Sequence, residues 1–451
     1  MVDMVLFDRY LFAFTIASHI LLVSMSIALI IVITLSEFMA IRSSDKHYEA
    51  LYKRLTKVFV ISFGVGTASG VVMAVEFVTL FPAFMTVVSQ TGAISLFYAE
   101  VFAFFLETIS LVLYVYYADY FRGKYNHWLM SLPIAAGALL SGVLITMVNA
   151  WMNTPNGFNI QMFIQTGGII EIDPWAPFST VSTFGEVIHV LPTVLLAGVS
   201  LIGGYFAWRS LRTEDSEERA ILEKGMKITA VLGMIMIAVA GFTGSNEVVT
   251  LLRYQPLKYS AIELNPSPGT DLPEKLFGYL VDSKYYGGIV VPRLQSLLVW
   301  LETGITDLPG LSQFPSSLWP PLYVHMTFDL MVTGGLLIGL FFFTYFIDWV
   351  FRSKRPHKLK LFQFGWIVVA FLAIIVMESG WITDEVGRQP WILYDVMKVQ
   401  EAANYSSSII IPGILIIAFY IIVLPSSFYF FSRVFNSKPR SNEPETVHHG
   451  K

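Results

Sequence analysis

Long apolar runs limit this chain to one class of fold more strongly than any other feature of its sequence. About nine stretches have the roughly 20 apolar residues that a helix needs to cross about 30 Å of hydrocarbon. Backbone groups in lipid must pair within their own segment, and the runs lack the alternation typical of strands, so each is predicted to be a helix. The expected fold is an all-α polytopic membrane protein. The approximate bounds of the runs are 11–39, 58–80, 93–117, 128–151, 187–211, 227–247, 322–347, 364–383 and 409–433.

The composition excludes several other classes of protein. Charged residues make up 14% of the chain, against roughly 25% in ordinary soluble domains. The formal net charge of −4 argues against nucleic acid as a partner. The chain has no cysteine, which excludes disulfides, zinc–thiolate sites, iron–sulfur clusters and covalently attached c-type haem. The acidic N-terminus lacks the basic region of a cleaved signal, so the first run is predicted to be retained.

Basic residues predict the orientation in the membrane. Lys and Arg cluster after the first, third, fifth and seventh runs and in the C-terminal tail. By contrast, residues 81–92 carry no charge, and residues 152–186 contain neither Lys nor Arg. The positive-inside rule therefore predicts an N-terminus outside and a C-terminus in the cytoplasm. The predicted divisions are 1–247 with helices one to six, 248–320 as an extracytoplasmic loop, 321–433 with helices seven to nine, and 434–451 as a cytoplasmic tail.

Four side chains with iron-ligand chemistry stand in or beside the apolar runs: His19, His189, Met331 and Glu385. Ionisable groups in hydrocarbon cost roughly 2.5–3.5 kcal/mol each and usually mark function. A single buried His is often only a hydrogen-bond partner between helices, and a buried Met is usually core filler. In the predicted topology, however, all four fall in the outer half of the membrane. Because a His–Met pair is a known way to hold a low-spin haem, haem is the predicted cofactor.

The segment 248–320 is the one long loop predicted to lie outside the membrane. Loops longer than about 15 residues usually carry function or are disordered. Lys258 and Glu263 offer a donor and an acceptor for a polar headgroup near the membrane surface. A solvated charged loop without a ligand is the alternative.

Seven motifs occur in an order and spacing that resemble one known family. They are RYLFAFTIASH at 9–19, AFFLE at 103–107, NAWM at 149–152, the helix of His189, QPLKYSAIE at 255–263, FDLMVTGG at 328–335 and ESGWITDEVGRQPW at 378–391. The last of these is highly specific. Over nearly its whole length the chain resembles subunit I of the cytochrome bd quinol oxidases. That resemblance implies nine helices, an outside N-terminus and a multi-pass location in the prokaryotic cytoplasmic membrane.

The resemblance also implies the cofactors and their axial ligands. His189 and Met331 match the ligands of a low-spin b-type haem near the quinol site. His19 and Glu385 match the ligands of two high-spin haems, one of which binds O₂. The implied set is two b-type haems and a third haem, either haem d or another b-type haem.

Further roles follow from the same matches. Trp381 and Arg388 are implied to lie between or beside the macrocycles, with Arg388 offering its charge to a propionate. Arg9 is a further cofactor-binding candidate. The quinol-binding candidates are Gln255, Lys258 and Glu263.

The family lines a proton path from the cytoplasm at the positions of Glu107 and Ser141. It usually has a glutamate eight residues before the first of these, whereas here that position is Ala99 and the glutamate is Glu100. One residue turns a helix face by about 100°, so either the helix bulges or the Glu100 carboxylate points elsewhere. Glu76 is likewise displaced relative to the GTASG turn that precedes it.

The predicted function is that of a haem-containing quinol:O₂ oxidoreductase subunit. It oxidises quinol at the outer face, reduces O₂ to water with cytoplasmic protons, and generates a membrane potential without pumping. The implied partners are a second membrane subunit and small single-helix subunits. One alternative is a haem-bearing anchor that passes electrons between quinone and a dehydrogenase, which leaves Glu385 without a role. Another is a transporter using Glu100, Glu107 and Glu378, although no clear internal repeat supports it.

Overall fold

A computed structural model describes residues 3–282 and 284–436. Within these ranges nine helices are long and apolar enough to cross a membrane, namely α1, α2, α4, α5, α7, α8, α11, α12 and α14. This confirms the predicted fold class. Of the cytoplasmic tail predicted at 434–451, residues 437–451 lie outside the described part of the chain. The helices are α1 (Met4–Ser43), α2 (Lys46–Leu80), α3 (Pro82–Gln90), α4 (Ile94–Tyr116), α5 (Lys124–Asn153), α6 (Ile160–Thr166), α7 (Thr183–Arg212), α8 (Ser216–Tyr254), α9 (Pro256–Ile262), α10 (Leu294–Thr303), α11 (Val324–Phe351), α12 (Lys360–Gly387), α13 (Val399–Ala402) and α14 (Ile410–Phe435).

Most of the spanning helices extend beyond the predicted apolar runs, whereas α4 lies within its run. Helices α1 and α8 have 40 and 39 residues, so at 1.5 Å per residue each is about 60 Å long, twice the thickness of the hydrocarbon. Both begin at an aspartate cap: Asp3 accepts from the backbone N–H of Leu6, and Asp215 accepts from that of Glu217. Helix α8 continues to Tyr254, so the first seven residues assigned to the outer loop are helical instead.

Close approach between helices depends on glycine. A Cβ atom at Gly198 of α7 would lie 2.1 Å from the carbonyl oxygen of Ser24 on α1. A Cβ at Gly203 would lie 2.4 Å from the indole of Trp366 on α12. Helix α7 packs against α1, α5, α8 and α12, and therefore lies at the centre of the bundle.

The described part of the chain has six short strands in the connections, where the sequence predicted none. Each has two or three residues, too few to show the alternation by which strands are recognised. They pair antiparallel as β1 (Glu274–Leu276) with β4 (Ile289–Val291), β2 (Tyr279–Val281) with β3 (Lys284–Tyr286), and β5 (Trp391–Leu393) with β6 (Met397–Lys398).

Successive spanning helices cross the membrane in opposite directions, which sorts the connections onto two sides. The side on which α1 begins is called the N-terminal side. It carries the long connections, including α9, α10 and all six strands. The opposite side carries the short connections, which are rich in Lys and Arg.

Candidate redox site

His19 lies in the fifth turn of α1, with its ring directed at α2. Its Nδ1 is 3.0 Å from the Ser69 hydroxyl, which in turn is 2.7 Å from the hydroxyl of Tyr420 on α14. No hydrogen-bond partner for Nε2 occurs among the described residues. A Cβ at Gly70 would lie 3.4 Å from the ring. The imidazole is therefore oriented through one nitrogen and leaves the other available as a ligand.

His189, in the second turn of α7, is held in the same way. Its Nδ1 is 3.2 Å from the hydroxyl of Thr243 on α8, and that hydroxyl donates to the Val239 carbonyl at 2.9 Å. Because the hydroxyl hydrogen is already used, Nδ1 is the donor, and the Nε2 lone pair is left free for a metal. A Cβ at Gly244 would lie 3.3 Å from this ring.

Met331 on α11 also faces a glycine. A Cβ at Gly380 of α12 would lie 3.0 Å from its sulfur. Thus His19, His189 and Met331 each stand opposite a Cβ-free position on a neighbouring helix. Space that any side chain would fill, beside an imidazole nitrogen or a thioether, fits a bound macrocycle with axial ligands of these types.

Glu385 lies in the last turn of α12, where it pairs with Arg388. The guanidinium Nη2 is 2.5 Å from Glu385 Oε2, and Nη1 donates to the side-chain oxygens of Asn149 at 2.9 Å and Asn153 at 3.0 Å. The Nε of this buried arginine has no hydrogen-bond partner among the residues that the structure describes. An unpaired buried donor beside a candidate ligand fits a further anionic group, such as a propionate. Trp381, one turn before Glu385, lies partly buried on the same helix face.

The sequence did not single out Asp384, although its hydrogen bonds connect α12 with α5 and α9. Its carboxylate accepts hydrogen bonds from Lys258, from Asn149 at 2.5 Å and from Asn153 at 3.2 Å. The same two amides donate to Glu186 of α7 at 3.2 and 3.0 Å. Two signals were present in the sequence: asparagines four residues apart in an apolar helix, and a glutamate three residues before His189.

The quinol-binding candidates are buried, so they do not lie on the solvated charged loop that the sequence left open as an alternative. Lys258 and Glu263 are only 2% and 7% exposed, because α9 folds back against α8, α11 and α12. Lys258 reaches Asp384, whereas Glu263 lies near Glu274 and Lys275, and burial raises its pKa well above the usual range. Gln255 is also buried and donates to the carbonyl of Asn153 at 2.8 Å. Five residues turn a helix by about 140° beyond a full circle, so Lys258 and Glu263 face different partners.

Two other candidates lie on the N-terminal side. Arg9 is half-buried near the start of α1, close to Tyr323 at the start of α11, and forms no ion pair with the described residues. Glu76 of α2 is buried and accepts from the Thr15 hydroxyl at 3.0 Å. Thr15 precedes His19 by one turn, so the displaced position of Glu76 still brings its carboxylate to the His19 face of α1.

The three proton-path candidates meet between α4 and α5. The Ser141 hydroxyl donates to Glu100 at 2.7 Å. Glu107 lies two turns along α4 on the same face, packed against Gly137, where a Cβ would lie 2.8 Å from its backbone nitrogen. Helix α4 is continuous from Ile94 to Tyr116, so no bulge compensates for the shifted glutamate. Glu100 instead points to α5, in line with Glu107.

Comparison with known proteins identifies the family to which the chain belongs. The family model described as cytochrome bd terminal oxidase subunit I matches residues 7–439. A putative cytochrome bd menaquinol oxidase subunit I of Bacillus subtilis is 30% identical, with 92% of each chain covered. The bd-II ubiquinol oxidase subunit 1 of Escherichia coli is 22% identical over 98% of each chain. The solved bd oxidase of Geobacillus thermodenitrificans aligns with a TM-score of 0.88 and 31% identity, covering 97% of this chain and 99% of that one. The chain therefore belongs to the cytochrome bd terminal oxidase subunit I family.

Proposed function

We propose that this chain oxidises quinol at the outer face of the membrane and passes the electrons to haems at which O₂ is reduced to water. Membership of the family makes it a subunit of a terminal quinol oxidase and a multi-pass protein of the prokaryotic plasma membrane. The residue-level proposal rests on a geometry that His19 and His189 share. In each, Nδ1 lies within hydrogen-bond distance of a hydroxyl, Nε2 has no hydrogen-bond partner among the described residues, and the ring faces a glycine.

The family implies haem cofactors. We assign His189 and Met331 to a low-spin b-type haem, and His19 and Glu385 to two high-spin haems, the third being haem d or another b-type haem. When bound, these groups supply one-electron transfer and an iron that binds O₂. Ser69 and Thr243 hold the two imidazoles in orientation, and Arg388 holds the Glu385 carboxylate.

Quinol is assigned to the segment around α9. Lys258 and Gln255 connect this segment to the polar groups at the outer end of α12, and Glu263 supplies a buried carboxylate on its other face. A quinol that binds here would contact groups connected to Asp384 and hence to the Glu385–Arg388 pair. The positive-inside rule supports placing the N-terminal side outside.

Protons for water formation are assigned to the line of Glu107, Glu100 and Ser141 from the cytoplasm. Quinol releases its protons outside while O₂ reduction takes up protons from inside, so turnover is electrogenic without a pumping element. The family implies a second subunit. We propose small single-helix subunits as further partners.

Haem extraction and CO difference spectroscopy on the purified oxidase test this function. We expect three haems, of which one is low-spin and at least one binds CO. One or two low-spin haems without CO binding would instead identify an electron-transferring anchor. Absence of haem from an intact, folded complex would favour a transporter.

A further inference from the structure

A second cluster of buried polar groups lies at the inner ends of α1, α4 and α5, far from the haem-ligand candidates. Glu37 of α1 has a side chain that is only 3% exposed. One of its carboxylate oxygens accepts from the Tyr114 hydroxyl at 2.6 Å, and the other lies 2.5 Å from Nδ1 of His127. The Nε2 of His127 is 3.0 Å from the backbone carbonyl of Tyr114.

This geometry requires one proton that the two side chains share. The Tyr114 carbonyl can only accept, so Nε2 of His127 carries a hydrogen. The contact between Nδ1 and the Glu37 carboxyl oxygen needs one further proton, which either of these two atoms can carry. The cluster thus holds one proton that the pair can give up and take back.

The pair continues the line of proton-path candidates. Tyr114 follows Glu107 by seven residues, or two helical turns, so both lie on the same face of α4. Ser110, also buried, lies between them on that face. From Glu100 to Tyr114 the line spans 14 residues, or roughly 21 Å along the helix axis. It ends at the side of the membrane that is rich in Lys and Arg.

Within the cluster, the exposed fraction of the side chain falls from His127 to Glu37. The His127 side chain is 16% exposed, against 3% for Glu37. The other charged and titratable groups around the pair come from α2: Tyr52 and Lys53, the latter paired with Glu49 at 2.7 Å. His127 is therefore the member of the cluster that water can reach, and Glu37 is the member closed off behind it.

We propose that Glu37 and His127 form the proton-loading site at the inner end of the proton path. His127 passes its Nδ1 proton to the Glu37 carboxylate and regains one from cytoplasmic water, so that one proton is taken up for each delivered. Tyr114 and Ser110 then carry the proton toward Glu107 by turning their hydroxyls. The inference rests on the proposed function, because it requires the Glu107 line to deliver protons.

The test measures quinol-driven O₂ consumption by the complete oxidase carrying Glu37→Gln or His127→Gln. Either change should leave the haem content and CO binding unchanged, but slow steady-state turnover by at least about tenfold, as for loss of a proton-transferring group. The dependence of turnover on pH should flatten in His127→Gln. Tyr114→Phe, which keeps the ring and loses the hydroxyl, should slow turnover while leaving the haem spectrum unchanged.

His47 provides the matched control. It lies on the same side with Asp45 at 2.9 Å and Glu217 at 3.3 Å, but away from the α4 line, so His47→Gln should retain full turnover. Full turnover in both Glu37→Gln and His127→Gln would overturn the proposal, as would a slowing explained by lost haem. If Glu107→Gln is slow while those two variants are normal, only the loading site fails. If Glu107→Gln is also normal, the proton path itself is wrong.

Discussion

Lys258 and Asp384 form a largely buried ion pair that holds α9 against the C-terminal end of α12. The ammonium group belongs to a side chain that is 2% exposed, and the carboxylate also binds the amides of Asn149 and Asn153. Removing Lys258 leaves the Asp384 carboxylate without its cation, and because that side chain is 27% exposed, the cost should be below the range of about 3–5 kcal/mol typical of a fully buried pair. This ion pair is one of the contacts that connect the proposed quinol-binding segment with the Glu385 end of α12.

Replacing Lys258 should impair quinol oxidation and spare the haems. In Lys258→Ala, Asp384 loses its cation and α9 loses its anchor, so we expect a higher apparent KM for quinol or a lower kcat with normal haem content. Lys258→Arg keeps the charge and should be milder. Lys284 is exposed on β3, and Lys284→Ala serves as the control. Unchanged quinol kinetics in Lys258→Ala would contradict the assignment.

The low-spin haem should depend on both His189 and Met331. His189→Ala and Met331→Leu each remove one strong-field ligand, so the low-spin absorbance and quinol oxidation should be lost while CO binding at the other irons persists. The measurement is a reduced-minus-oxidised spectrum with and without CO. Met326, partly exposed on the same helix, gives the matched control Met326→Leu. A normal low-spin spectrum in either ligand variant would refute the pairing.

The docking of the segment after α9 should weaken as pH rises. Burial raises the pKa of Glu274 on β1 from 4.5 to about 7, with a further contribution from the Asp329 carboxylate and an opposing one from Lys275. A raised pKa means that the folded state favours the protonated acid. Its stabilising contribution is complete below pH 4.5 and is lost as pH rises through about 7.

Limited proteolysis of purified oxidase at pH 6 and pH 8 should show this effect. We expect faster cleavage in the segment between α9 and α11 at the higher pH. Glu274→Gln mimics the protonated acid, so its cleavage should vary less with pH. Equal pH dependence in the wild type and in Glu274→Gln would rule out Glu274 as the titrating group.

The sequence predicted the number of spanning helices well and the contacts between side chains poorly. Each outcome has a physical reason. Hydrocarbon thickness alone requires runs of about 20 apolar residues, so the helices could be counted without knowing how they pack. Asp384 and Glu385 are adjacent in sequence, yet one binds Lys258 and the other Arg388. One step along a helix turns a side chain by about 100°, and only the packed neighbours decide which carboxylate faces which cation.

The sequence did not predict the burial of the proposed quinol-binding segment, residues 255–263, for a related reason. QPLKYSAIE carries charge and follows a spanning helix, which is typical of a solvated loop. The structure instead turns the chain at Gln255 into a short helix whose Tyr259 and Ala261 are fully buried. The packing partners come from α11 and α12, far away in sequence, and no local pattern encodes them.

Packing between α1 and α7 should be sensitive to a single methyl group. In Gly198→Ala the new Cβ would lie 2.1 Å from the Ser24 carbonyl oxygen and 2.5 Å from the Ala28 side chain, so the two helices must separate. Overpacking of this kind costs about 1–3 kcal/mol, and the melting temperature of the oxidase should fall. Gly64→Ala meets nothing within 4 Å and should leave the melting temperature unchanged or raise it slightly. Equal melting temperatures for both variants would contradict the packing argument.

Glu107 should limit proton uptake rather than hold a cofactor. It is buried between α4 and α5, two turns from Glu100 on the same face. A carboxylate at this depth is too costly to be incidental, yet a protonated side chain that only packs against α5 is the structural alternative. Glu107→Gln keeps the size and the hydrogen-bonding capacity but cannot release a proton. All haems and CO binding in the reduced state should therefore be retained.

Steady-state O₂ consumption should nevertheless fall by about 10²-fold or more, the usual effect of removing a proton-transferring group. Glu107→Asp retains a titratable carboxyl one methylene shorter, so it should recover part of the activity, which a purely structural role does not predict. Ser141→Ala removes only the donor to Glu100 and should have a smaller effect, since water can replace a hydroxyl in a hydrogen-bonded chain. Full turnover in Glu107→Gln, or loss of a haem, would exclude the proton-path role.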